Sequence, residues 1–116
     1  MIPAFPKPSQ MKKQQVAVRI FRDGREVCNL NIKAGRDEYD SRKLKMHQRQ
    51  GGLCCLCGLR LAKKVMAFEH QDGRGMNGSH RDDRTEKDGK PYNGVAHWDC
   101  NSEKGSKRTP YVIDVP

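Results

Sequence analysis

Apolar residues along this chain come in short bursts between long polar stretches, and the spacing within the bursts changes. From Val16 to Arg22 (VAVRIFR) β-branched and aromatic residues dominate, and Arg25–Lys33 (REVCNLNIK) carries Val27, then Leu30 and Ile32 in alternation. With Asp23-Gly24 between them, the two runs predict an N-terminal β-hairpin. Cys28, in the second run with no companion nearby, reads as a small packed or exposed thiol and not as a ligand. Beyond Gly35 the pattern turns helical: Arg36–Gln50 places acidic residues first and basic residues last, which complements a helix dipole, and it stops at Gly51-Gly52. Its apolar stripe through Tyr39, Leu44 and Met46 is thin, so the Arg and Lys stems are expected to face outward and His47 to lie at the surface. Val65–His70 (VMAFEH) is a third, strand-like run, followed by a Gly- and Arg-rich loop over 71–84 and a turn signal at Asn93-Gly94. Residues 1–15, with prolines and lysines but no apolar period, predict a flexible basic tail.

Composition adds a difficulty. Leu, Ile, Val and Phe together number 20 of 116 residues, about 17%, against 32% charged, which is the profile of a disordered chain. A small domain that buries so little usually needs a staple: disulfides, a metal or a partner. No run approaches the roughly 18 apolar residues of a membrane span, and Met1–Gln15 lacks the apolar core of a signal peptide, so the expected setting is soluble and cytoplasmic. The formal net charge is +9. Residues 1–50 account for +7 of it and residues 51–116 for +2. Such an excess is directed at polyanions, with nucleic acid the leading partner, although scattered surface lysines also serve solubility alone.

The five cysteines supply the staple. An odd number with three crowded at Cys54, Cys55 and Cys57 is a poor disulfide framework. Leu53–Leu59 (LCCLCGL) instead contains Cys54-x-x-Cys57 followed by Gly58, a turn on which two thiolates can reach one ion while backbone amides point at the sulfurs. After 39 intervening residues comes His97-x-x-Cys100. Together they offer three sulfurs and one imidazole nitrogen, a closed tetrahedral set suited to structural Zn²⁺. The spacing alone leaves open a shell in which His97 is only a neighbour and Cys55 or a water fills the fourth place.

Between the half-sites stands Glu69-His70, and after them Cys100-Asn101 leads into SEKGSKR. In this order (Cys54-x-x-Cys57, Glu69-His70, Asn93, His97-x-x-Cys100-Asn101, Lys104) the chain resembles the HNH endonuclease family over roughly residues 51–108. The resemblance implies a small α+β fold: a ββα-metal (His-Me finger) core stabilised by zinc and preceded by the hairpin and basic helix. It implies that His70 is the general base that activates water and that Asn93 braces the loop carrying it. It further implies that Glu69 and Asn101 ligate a catalytic Mg²⁺ or Mn²⁺, with Glu69 standing where the family more often has Asp or His. The chemistry suits these residue types: a neutral imidazole can take a proton at physiological pH, and a hard divalent ion can hold charge on a departing oxygen.

Arg74, Lys104, Lys107 and Arg108 are candidate contacts to phosphate, with plain solvation the alternative for each. His80, Asp82 and Asp83 could form a second metal site, but the flanking glycines favour a mobile, solvated loop. Val95 and Trp98 are expected to plug the core under the zinc, unless Trp98 is exposed and stacks on a base. The expected organisation is a tail (1–15), hairpin and basic helix (16–50), nuclease core (51–108) and C-terminal tail (109–116). The expected function is hydrolysis of double-stranded DNA with little sequence specificity, the hairpin and helix clamping the duplex. The alternative is a zinc-stabilised nucleic-acid-binding module without catalysis, or one working inside a larger complex such as a phage packaging machine.

Overall fold

A computed structural model describes residues 16–105, 107 and 109–113. The flexible basic tail expected over residues 1–15 lies outside the described residues, as does Arg108.

Val18–Ile20 (β1) and Glu26–Cys28 (β2) pair antiparallel, with Val18 opposite Cys28 and Ile20 opposite Glu26. The strands are shorter than the runs that predicted them because the Asp23 carboxylate ties the turn, accepting from Arg25 N (3.1 Å) and Arg25 Nε (2.8 Å). The second run does not continue as strand to Lys33. Asn29 turns the chain instead, its side chain accepting from Asn31 N at 3.1 Å, and helix α1 spans Lys33–Arg49. Gly35, beyond which the sequence predicts the helix to begin, lies inside α1: a Cβ there would come within 1.8 Å of the Asn29 carbonyl oxygen. Only glycine lets the helix start this close to the turn.

α1 sends few apolar groups inward; Met46 is buried and Tyr39 partly so. Polar side chains attach it instead, and here the expectation of outward-facing cations needs correction. Arg42 reaches Glu26 (2.9 Å) and the Asp83 carbonyl (3.0 Å), and Arg49 the carbonyls of Thr85 (2.6 Å) and Asn93 (3.0 Å). His47 is half-buried with Nε2 2.7 Å from the Leu61 carbonyl. Gln50, buried at the end of the helix, accepts from Val95 N and donates to Val95 O, both at 2.9 Å, as a neighbouring strand would.

That strand is β6 (Gly94–His97), antiparallel to β3 (Met66–Glu69), with Met66 opposite His97 and Glu69 opposite Gly94. Between them the chain forms a small ribbon, β4 (Glu86–Lys87) and β5 (Lys90–Pro91). A helix, α2 (Trp98–Lys104), follows β6 directly. Gly94 passes so close to α1 and the cysteine turn that a Cβ would lie 2.7 Å from Gln50 Oε1 and 3.0 Å from Cys55 Sγ.

The core gathers Met46, Cys54, Cys55, Leu61, Met66, Phe68, Val95 and Ala96, with Tyr111 and Ile113 partly buried against it. It thus runs across residue 50 and includes part of the expected C-terminal tail, where Val112 N donates to the Cys55 carbonyl at 3.0 Å. Val95 fills the core as expected. Trp98 does not: as the first residue of α2 it is 61% exposed. Among the described residues no helix is long and apolar enough to cross a membrane.

Candidate functional site

Cys54 and Cys57 occupy the turn between α1 and β3, and His97 and Cys100 the junction of β6 with α2; register brings the two halves together because Met66 pairs with His97. The ligand atoms of Cys54, Cys57, His97 and Cys100 all lie within 4.8 Å of one another. Cys57 Sγ is 3.4 Å and Cys100 Sγ 3.9 Å from His97 Nδ1. Those separations and the three-sulfur, one-nitrogen donor set fit an ion such as zinc. His97 Nε2 lies 2.9 Å from the Arg60 carbonyl, which fixes that nitrogen as the donor and leaves Nδ1 with its lone pair toward the sulfurs. Cys54 Sγ accepts from the backbone N–H of Leu56 and Cys57, each at 3.4 Å. Burial works against its ionisation, but backbone donors from His97, Cys57 and Leu56 outweigh that and bring the thiol down to about 7. Cys55 is not among the residues whose ligand atoms converge; it points into the core, where burial pushes its thiol up.

One face of β3 borders a cavity of about 460 Å³ lined by Phe68, His70, Arg74, Asn77, Asn101 and several glycines. Side chains alternate along a strand, so Phe68 and His70 share this face. The His70 ring stacks on Phe68 (centroids 4.6 Å apart), which stacks on Tyr39 (4.8 Å). Its Nε2 is 2.7 Å from Asp83 Oδ1. Asp83 is fully buried and also accepts from Arg81 (2.6 Å) and from Cys28 N (2.9 Å). Burial raises its pKa, yet the bonds from His70, Arg81 and Cys28 dominate and hold it down at about 2. The loop read as mobile and solvated is therefore anchored: Asp82 and Asp83 are both buried, and Asp82 binds Arg84 at 2.7 Å.

Asn93 braces this loop. Its Oδ1 accepts from Gln71 N (3.0 Å), and its Nδ2 donates to the carbonyls of Asp82 (2.7 Å) and Arg84 (2.8 Å).

Glu69 lies elsewhere. It is absent from the cavity lining and fully buried; Lys104 Nζ pairs with Oε1 at 2.5 Å, and the Tyr111 hydroxyl donates to Oε2. Burial beside the Glu69 carboxylate keeps Tyr111 protonated. Lys104 also donates to the His70 carbonyl at 2.9 Å, and its side chain is only 2% exposed. The phosphate contact expected of Lys104 thus gives way to an internal one.

The cavity brings together His70, Asn101 and Arg74; Arg74 and Lys107 are exposed. Most cations of α1 have carboxylate partners, Lys33 with Asp37, Arg42 with Glu38 and Glu26, Lys43 with Asp40 and Lys45 with Glu86. Among the described residues, exposed Arg36 bonds only the Leu30 carbonyl and Arg49 only carbonyls. The sequence offers Asp83 only as part of a second metal site with His80 and Asp82, and its contact with His70 is not legible there, since nothing local marks which of two adjacent aspartates turns toward a histidine 13 positions away.

Searches against protein-family models, curated proteins and solved structures found no match to this chain.

Proposed function

We propose that this protein is a small zinc-stabilised HNH-type endonuclease that hydrolyses phosphodiester bonds of double-stranded DNA. The observation that carries the reading is His70: a buried imidazole bound through Nε2 to a carboxylate, on the wall of a cavity it shares with Asn101 and Arg74. The carboxylate only accepts, so Nε2 carries the proton and Nδ1 is the basic nitrogen, without a hydrogen-bond partner among the described residues. In the proposed step Nδ1 takes a proton from water as the water oxygen bonds to phosphorus. The phosphorus–O3′ bond breaks, its electron pair leaves with O3′, and a proton from solvent water there yields a 3′-hydroxyl and a 5′-phosphate, the imidazolium later returning its proton to solvent. Arg74 steadies the phosphate, and exposed Lys107 meets flanking backbone.

A bound Mg²⁺ or Mn²⁺ would supply positive charge at the departing oxygen. Asn101, which lines the cavity, would be one of its ligands, but Glu69 fits that role only by giving up Lys104 and Tyr111. This closed carboxylate favours the second reading, in which the same scaffold binds nucleic acid without cutting it, alone or within a larger assembly.

Incubating the zinc-loaded protein with supercoiled plasmid and Mg²⁺ or Mn²⁺, beside His70→Ala, separates the two. The nuclease reading expects nicking by the wild type and a loss of at least about 100-fold in the variant. Equal nicking by both, or none by either with any divalent ion, contradicts it.

A further inference from the structure

We propose that Asp83 is the positioning residue of the His70 base, holding the ring in the Nε2–H tautomer, and that the β1–β2 hairpin is the mount for Asp83; the first part rests on reading His70 as the base.

Asp83 has almost no freedom of its own. Its backbone N–H donates to the Glu26 carbonyl at 2.6 Å and its carbonyl accepts from Arg42 at 3.0 Å, so β2 and α1 grip the main chain. The neighbouring Asp82 Oδ1 accepts from Glu26 N at 3.3 Å, a second tie to β2. On the side chain the two oxygens have different partners. Oδ2 accepts from Cys28 N at 2.9 Å and Arg81 Nη2 at 2.6 Å. Oδ1 accepts from His70 Nε2 at 2.7 Å and Arg81 Nε at 3.0 Å. Phe68 fixes the plane of the ring by stacking at an interplanar angle of 21°. A fixed acceptor opposite Nε2 and a fixed ring plane leave Nδ1 with its lone pair in a set direction.

The unequal partners of the two oxygens make the proposal sharp for Asp83→Asn. The amide oxygen is drawn to the Oδ2 position, where Cys28 N, Arg81 Nη2 and, at 3.2 Å, Arg81 Nε converge and none of them can become an acceptor. The amide NH₂ then takes the Oδ1 position, giving up the Arg81 Nε contact there and facing His70, which can accept by changing tautomer. An NH₂ there donates to Nε2, which forces the proton onto Nδ1 and removes the basic nitrogen, with little change in shape.

The test uses the full zinc-loaded chain labelled with ¹⁵N, the His70 ring signals being assigned by their loss in His70→Ala and read at a pH where the ring is neutral. The wild type is expected in the Nε2–H tautomer, and Asp83→Asn in the Nδ1–H tautomer with unchanged zinc content. Plasmid nicking by that variant should fall about as far as in His70→Ala, by at least about 100-fold. An Nδ1–H ring in the wild type overturns the proposal even if the variant fails to fold, and so does an Asp83→Asn protein that keeps the wild-type tautomer or nicks at the wild-type rate. If the wild type nicks nothing while the tautomer inverts as described, the nuclease reading falls and the hold of Asp83 on the ring stands.

Discussion

Glu69 is a carboxylate with no access to water, and its two oxygens are held by an ammonium from α2 and a hydroxyl from the C-terminal segment. Such a pair need not add net stability over an apolar replacement, but breaking it leaves a lone charge in the interior. Lys104→Met is therefore expected to cost about 3–5 kcal/mol, read as a lower urea midpoint with an unchanged slope. Adding Glu69→Gln should recover part of that loss, because the amide needs no counter-charge. A Lys104→Met protein as stable as wild type would mean that the pair is not formed. The same contacts bear on function, since Lys104 also binds the His70 carbonyl and so ties the end of β3 to α2 beside the cavity. His70 is held at the ring by Asp83 and Phe68 and at its backbone by Lys104. The sequence offers Lys104 as a candidate phosphate contact with solvation as the alternative, and neither is what folding gives, because a lysine near the end of a helix motif gives no sign of which way it turns.

Helix α1 is attached mainly through polar groups and one close backbone approach, an arrangement that a search for apolar periodicity undervalues. The approach at Gly35 predicts the sign of a substitution. In an ordinary helix interior Gly→Ala gains about 0.5–1 kcal/mol, but here the added methyl would meet the Asn29 carbonyl at 1.8 Å. Gly35→Ala should lose roughly 1–3 kcal/mol by chemical denaturation; a gain would contradict the observed start of α1. The same element shows what was legible in the sequence. The turn at Asp23-Gly24, the helix ending near Gly51-Gly52, the strand over Val65–His70 and the paired Cys/His half-sites could all be read, because each depends on residues adjacent or three apart. The early start of α1 could not, since it depends on the space beside Asn29. Nor could the inward turn of Arg42, Arg49 and Gln50, whose acceptors are carbonyls brought near by folding. Asp83 and Tyr111 act at 13 and 42 positions from their partners, beyond any local signal.

At the scale of the whole molecule, a chain with about 17% large aliphatics and Phe folds around few buried apolar groups, two of them cysteines. The Cys54, Cys57, His97 and Cys100 cluster joins the turn after α1 to the β6–α2 junction, and the cavity wall is built from β3, the loop after it and α2. We propose that one zinc ion at this cluster supplies stabilisation that the small core does not, so that its binding free energy is folding free energy. Backbone donors already lower the Cys54 thiol to about 7, which favours thiolate ligation near neutral pH. Burial has the opposite effect on Cys28, raising it to about 12, and so keeps it unreactive while the fold is intact. The most direct measurement combines metal analysis with thiol counting and circular dichroism before and after a strong zinc chelator at neutral pH. The account predicts one zinc per chain, slow thiol modification in the loaded protein, and loss of structure on chelation with all five cysteines becoming reactive together. A chelated protein that keeps its secondary structure and still shields Cys28 and Cys55 would contradict it.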